Sequence, residues 1–273
     1  MPSPRIHISS TVEGFEIAAG RAIAAAITAD VRERRGCMIA LSGGLTPRGV
    51  YRRLGDMLTS QSTDLGRTHL VFTDERMVSP DDPSSNYGMI QRELISRVHI
   101  PPLNVHRIKG ELEVETAARE YERELQGVLP LFAGRCDIIV LGVGEDGHTA
   151  SLFPGTDILQ ERGKTAGAVL VPHLAAWRVT LTLGVINRAR AVVFLAAGKG
   201  KAAIVRKVLA NAKLREALPA TLVRPYQGSL TWMLDSDSAS QLLSEGSSDS
   251  GRTQSETDSP GHVQTEEEKD GDS

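Results

Sequence analysis

Between residues 37 and 234, short runs of Ile, Val and Leu alternate with longer stretches whose apolar residues recur at helical spacing. The runs at 37–41, 69–72, 136–141, 168–171, 179–183, 191–197 and 229–234 each have the length of a buried strand, with shorter extended pieces at 105–108 and 222–223. Ahead of them, Phe15, Ile17, Ala18, Ala22, Ala25, Ile27 and Val31 predict a first amphipathic helix over 13–34, ending at Gly36. Further helices are predicted after Pro47, over 84–97, over the charged stretch 113–126 and from 198–202 through Leu209, with a short remnant at 239–243. Residues 186–190 read as a short turn or helix. Strands that alternate with helices in this way predict an α/β fold built on a mostly parallel, doubly wound sheet.

In such a sheet ligands bind in the crevice beyond the carboxyl ends of the strands, so the loops that follow the strands carry the functional candidates. After the run 136–141 the chain breaks into Gly142, Gly144 and Gly147, with Glu145, Asp146 and His148 among them. His148, an imidazole at a strand end, is a candidate general base. The segment from Gly142 to Gly147 also satisfies G-x-G-x-x-G, the dinucleotide fingerprint. That fingerprint requires a helix at once and an acidic residue closing a second strand about 20 positions later. Glu161 falls instead in a polar run, and Asp146 would face a pyrophosphate with like charge, so the nucleotide reading is set aside.

Three other strand ends carry polar residues. Ser42-Gly43-Gly44-Leu45-Thr46-Pro47 turns a strand into a helix, with Thr46 expected as N-cap and Pro47 at the first helical position. Free amides at a helix N-terminus, approached through glycines, suit an anion, although the Gly-Lys-Ser/Thr of a nucleotide P-loop is missing. Asp74-Glu75-Arg76 follows the run 69–72 and reads either as a solvated turn or as substrate-binding charge on the same rim. Gly198-Lys199-Gly200-Lys201 opens a helix with cations, which are unfavourable there unless an anion is shared between them.

Composition narrows the class. A chain of 273 residues with 40% apolar content can bury one large α/β core, so residues 1–243 are expected to form a single domain. From 244 to 273 the chain is acidic and Ser-rich, with Val263 its one aliphatic residue, and it is expected to stay disordered. The formal net charge of −3 therefore hides a mildly basic body, suited to a small anionic ligand but without the aromatic-interleaved basic patches of a nucleic-acid binder. Neither an N-terminal apolar targeting segment nor an apolar run of membrane length is evident, so a soluble, cytoplasmic protein is expected. Cys37 and Cys136 each open a predicted strand and read as small core residues in a reducing compartment. No His/Cys cluster has zinc-ligand spacing, so neither metal nor cofactor is expected.

Several blocks, in order, carry a resemblance: LSGG with Thr46-Pro47 at 41–47, DER at 74–76, SNY at 85–87, NVHRI at 104–108 and GEDGHTASLFP at 144–154. RVTLT at 178–182, GKGKA at 198–202 and TWMLD at 231–235 complete it. Over 17–234 the chain resembles the 6-phosphogluconolactonase family, which shares a Rossmann-like αβα sandwich with glucosamine-6-phosphate deaminases. The SNY block, Arg178 and the TWMLD ending favour the lactonases over the deaminases. The resemblance implies hydrolysis of 6-phospho-D-glucono-1,5-lactone to 6-phosphogluconate, with His148 activating water. Asp146 would either orient His148 or bind sugar hydroxyls. The phosphate would lie on the Ser42, Gly43, Gly44 and Thr46 segment, with Asp74 alongside and Arg76, Arg178 and Lys201 as its clamp. Lys199 fits that basic position less well than Lys201. The chain departs from the family's pattern at Leu45, where a small polar residue is common, at Gly184, where a proline is usual, and at Phe72-Thr73. Two rivals are a deaminase/isomerase on the same fold and a sugar-phosphate sensor without turnover; an intact His148 argues against the sensor. A monomer and a homodimer are both compatible with the sequence.

Overall fold

The structure is a computed structural model, and it describes residues 3–34, 36–210 and 218–246. The strands are β1 (Arg5–Ser9), β2 (Cys37–Leu41), β3 (Thr68–Phe72), β4 (Asp74–Arg76), β5 (Val105–His106), β6 (Ile138–Gly142), β7 (Ala166–Val171), β8 (Ala176–Leu181), β9 (Ala191–Ala196) and β10 (Ser229–Asp235). The helices are α1 (Val12–Arg34), α2 (Pro47–Ser60), α3 (Asn86–Glu93), α4 (Val114–Val128), α5 (Leu183–Arg188), α6 (Ala202–Ala210), α7 (Pro219–Leu222) and α8 (Ser236–Gly246). Seven strands form one sheet in the order β1-β10-β9-β6-β2-β3-β5, parallel at every pairing and flanked by helices. The expected αβα sandwich is thus present. Among the described residues no helix is long and apolar enough to cross a membrane.

Strands covered on both faces should be apolar throughout, and β2 is buried at all five residues. Trp232 of β10 is paired in register with Phe194 of β9, their rings stacked 4.2 Å apart. The functional consequence of the topology lies at its centre. The chain runs outward through β3 and β5 on one side of β2, and through β9 and β10 on the other side of β6. The strand order therefore reverses between β2 and β6, and their carboxyl ends open a crevice between the two glycine-rich loops.

The sequence expectations need five corrections. Residues 168–171 and 179–183 are not part of the parallel sheet, because β4, β8 and β7 make a separate antiparallel sheet of three strands. Only a short turn separates β7 from β8, whereas a parallel crossover needs a dozen residues or more. Leu183 begins α5, and Leu222 ends α7, so neither belongs to a strand. β1 was not anticipated; it is an edge strand exposed at most positions, and its pairing with β10 supplies the order that its pattern lacks. The predicted remnant at 239–243 is part of the longer α8, which takes in residues 244–246 of the predicted tail; 247–273 lie outside the described residues. Thr46 stands at the start of α2 in helical conformation (φ −55°, ψ −44°) without a side-chain cap bond. The Arg48 amide donates to the Leu45 carbonyl instead, so the helical turn begins early and the Thr46 hydroxyl is out of capping geometry.

Candidate active site

A cleft of about 420 Å³ occupies the crevice at the carboxyl ends of the strands. Ser42, Gly43, Gly44 and Thr46 reach it from the loop after β2, Asp74 and Arg76 from β4, Arg178 from β8, His148 from the loop after β6, and Lys201 from the turn after β9. Every residue expected at the site lines this cleft except Asp146, which stands beside His148.

The glycines are required for different reasons. Gly44 has φ +109°, a conformation side chains disfavour. A Cβ on Gly43 would overlap Asn86 Oδ1 at 1.6 Å, so the absent side chain admits Asn86 to the cleft. The Asn86 side-chain amide donates to the Asp74 carbonyl (2.8 Å), which fixes its orientation. The Tyr51 hydroxyl in turn donates to the Ser42 carbonyl (2.7 Å) and ties the glycine loop to α2.

After β6 the loop folds back on itself. The Gly144 amide donates to the His148 carbonyl (2.9 Å), and the Thr149 hydroxyl donates to the Gly142 carbonyl (2.8 Å). The His148 ring stacks on Phe153, with centroids 4.2 Å apart, and its Nδ1 lies 2.5 Å from Asp146 Oδ1. The same carboxylate oxygen accepts the His148 backbone amide at 3.1 Å. Burial pushes the Asp146 carboxyl up, but the hydrogen bonds and charge of His148 outweigh it, and the net shift is downward. In the neutral ring an ionised Asp146 holds the single proton on Nδ1, and that tautomer has Nε2 with its lone pair as the ring's acceptor.

Cations face this histidine. Arg76 and Arg178 are direct cross-strand partners in the β4–β8 ladder. Like charges directly opposite are destabilising unless something negative lies between them. Asp74 supplies part of that charge, but both of its oxygens are already engaged, by the Thr73 and Ser151 hydroxyls at 3.0 and 2.7 Å. Burial lowers the Arg178 guanidinium from its ordinary value; Asp74 opposes the shift and Arg76 adds to it. Lys201 completes the set. It follows Gly198 (φ +90°), whose amide donates to the buried Asp235 carboxylate at the end of β10 (2.9 Å). Three cations against one carboxylate leave the cleft with excess positive charge.

Four buried polar atoms around the cleft have no hydrogen-bond partner among the described residues: Ser42 Oγ, Arg76 Nε, Asn86 Oδ1 and Arg178 Nε. Buried groups left unpaired cost about 1–3 kcal/mol each, so their convergence marks a place prepared for a polar ligand. Asn86, which lines the cleft, and Phe153, which stacks on His148, lie within SNY and GEDGHTASLFP, but neither carries the charge or acid–base chemistry by which a site residue is visible in sequence. Glu75 turns away from the cleft, its carboxylate accepting the Asn86 and Tyr87 amides at the start of α3 (2.8 and 2.7 Å). Among the described residues, one group has metal-ligand proximity: Asp30, Cys37 and Asp137. It lies at the amino ends of the strands, where Arg34 bridges the two carboxylates and Arg190 contacts Asp137, so ion pairs already occupy it.

A family model described as glucosamine-6-phosphate isomerases/6-phosphogluconolactonase matches residues 11–232. A 6-phosphogluconolactonase of Homo sapiens is 39% identical over 237 residues, covering 81% of this chain and 90% of the relative. The solved 6-phosphogluconolactonase from Trypanosoma brucei superposes with a TM-score of 0.76 at 30% identity, over 88% of this chain and 99% of its own. A monomeric glucosamine-6-phosphate deaminase shares the fold, with a TM-score of 0.74 at 24% identity over 87% of this chain and 99% of its own.

Proposed function

The chain belongs to the glucosamine-6-phosphate isomerase/6-phosphogluconolactonase family, and from that premise we propose that His148 is its general base and that Arg76, Arg178 and Lys201 hold its substrate's phosphate. The chain is a carboxylic ester hydrolase: it opens 6-phospho-D-glucono-1,5-lactone to 6-phosphogluconate. We place this step in the oxidative pentose phosphate pathway and in the cytoplasm. Residues 1–243 act as one catalytic domain in this reading.

The observation that carries the mechanism is the Asp146–His148 pair, which leaves Nε2 as the ring's acceptor at a cleft bordered by cations. Nε2 removes a proton from water as the water oxygen bonds to the lactone carbonyl carbon. The carbonyl π electrons move to oxygen, giving a tetrahedral oxyanion. Its collapse breaks the bond to the ring oxygen, which takes the proton back from the imidazolium; the new carboxylic acid then ionises. Asp146 accepts from Nδ1 throughout and balances the imidazolium charge. A positioned base of this kind contributes about 10²–10⁴-fold. Phosphate held on the far side of the cleft keeps the carbonyl over His148, so binding energy remote from the reaction serves the transition state.

The test is hydrolysis of freshly generated phosphogluconolactone, corrected for its spontaneous opening, with glucosamine 6-phosphate as counter-substrate. Wild type should turn over the lactone alone, and His148→Ala should still bind 6-phosphogluconate while losing about 10²-fold or more in kcat. Turnover of the amino sugar, or full activity in His148→Ala, would sink the assignment.

A further inference from the structure

We propose that Arg48 is a fourth cation of the phosphate pocket, reading the anion from the α2 side and setting the preference for phosphorylated substrate. The inference rests on the phosphate reading above. Arg48 lies in the first turn of α2, and its Nε is buried without a hydrogen-bond partner among the described residues. It lines a recess of about 150 Å³ whose wall includes Gly44, Leu45, Arg76 and Asn86, all of which also line the main cleft. The recess is therefore a side branch of the site and not a separate cavity.

Its chemistry is one-sided. Two guanidiniums, Arg48 and Arg76, line it, and no carboxylate does. The Arg76 Nε is also buried and unpartnered, and one of its terminal nitrogens donates to the Ser84 carbonyl. Two cations sharing a small recess repel one another, and each holds a buried donor without an acceptor. An oxyanion between them relieves both costs, because each guanidinium can offer a fork of donors to it. Arg48 brings the N-terminal end of α2 to this recess, and the positive end of the helix dipole favours negative charge there. Leu45, at the mouth of both spaces, is 78% exposed and offers no side-chain donor, so on this loop the task falls to the residue three positions on. Neutral ends of a sugar gain little from such a branch, whereas a phosphate dianion gains from every donor in it. The branch is thus a device for discrimination, distinct from the chemistry at His148.

The experiment compares wild type, Arg48→Met, Arg48→Lys and Arg178→Met in the full chain. Met keeps an apolar stem in the recess, which Met89 also lines, while removing the fork. Calorimetric binding of 6-phosphogluconate and of gluconate is measured beside lactone kinetics and melting temperature. Arg48→Met should weaken 6-phosphogluconate binding roughly 10- to 100-fold and raise KM with little change in kcat, and Arg48→Lys should recover part of the loss. Gluconate binding and the melting temperature should stay near wild type. Wild-type affinity in Arg48→Met, with clear loss in Arg178→Met, would overturn this inference and leave the phosphate reading standing. If neither variant weakens binding, both fall. If Arg48→Met lowers the melting temperature and weakens both sugar acids alike, Arg48 serves the fold and the inference is equally overturned.

Discussion

Gly144 lies directly beneath the imidazole of His148: a Cβ at position 144 would stand 2.1 Å from Nδ1 and 2.2 Å from Cε1. It would also come within 2.7 Å of Asp146 Oδ1, so one methyl group would enter the space of the Asp146–His148 pair. The glycine that suggests a nucleotide loop in the sequence is here the floor of a histidine site. Gly144→Ala should therefore displace two side-chain ends while leaving the fold intact. The expected result is an unchanged melting temperature with kcat reduced about 10²-fold or more. Full activity would show that the ring tolerates displacement.

Asp146→Asn tests the partner. The amide can turn its NH₂ toward Nδ1 and reverse the tautomer, which takes the lone pair away from Nε2. On the proposed mechanism the pair acts in the transition state, so a fall in kcat with KM nearly unchanged is expected. The Asp146 carboxyl lies below its ordinary value of 3.8, so its ionised form is the one the fold favours. Its contribution is present above that value and is lost as pH falls through the lower, folded one. A rise in KM with kcat intact would instead assign Asp146 to sugar hydroxyls.

Glu75 gives a stability prediction with a definite sign. Its Oε1 accepts the Arg76 and Asn86 amides, and its Oε2 accepts the Tyr87 amide and Ser85 hydroxyl. Glu75→Gln would set an NH₂ against donors, at a cost of about 1–3 kcal/mol in denaturant unfolding. Burial nevertheless raises the Glu75 carboxyl above its ordinary 4.5, and the amide hydrogen bonds only partly oppose this. A raised folded value means stability that is full below 4.5 and declines as pH rises through the folded value. The gap between wild type and Glu75→Gln should accordingly narrow with rising pH; a gap that widens would contradict the burial argument.

Lys201→Ala separates phosphate recognition from catalysis. In wild type, kcat/KM should strongly favour the phosphorylated lactone over gluconolactone. The variant should lose roughly 10- to 100-fold of that preference, the worth of one charge-assisted hydrogen bond. Equal losses on both substrates would place Lys201 at the sugar or in the fold.

At the other end of the sheet, Asp137 is 3% exposed and accepts from Arg34 Nη1 (2.8 Å) and the Met38 amide (2.9 Å), joining α1 and β2 to the start of β6. Its two arginines are about a third exposed, so water can take over part of their solvation. Asp137→Ala should cost about 1–3 kcal/mol in unfolding free energy. Activity measured well below the melting transition should survive, because Asp137 sits at the amino ends of the strands. Lost activity in a folded variant would show that this end of the sheet is coupled to the cleft.

By itself the sequence determined the local elements and the chemistry at their ends. The apolar runs around β2, β3, β6 and β9, the helical spacing of α1 and the glycine loops after β2 and β6 depend on residues close together in the chain. Periodicity and turn chemistry therefore report them directly. His148 was legible for the same reason, as a lone imidazole in a glycine-rich loop at a strand end. What only the tertiary structure decided depends on partners far apart in sequence. β1 has a pattern too exposed to announce itself and is ordered by pairing with β10. Arg76 meets Arg178 because β4 and β8 leave the parallel sheet to form a ladder of their own. Asn86 enters the cleft because Gly43 leaves room for it, and the orphaned donors of Arg76 and Arg178 meet at the cleft that opens where β2 and β6 stand side by side. Such contacts carry no periodic signal; packing of the whole core selects them against the entropy of bringing distant segments together.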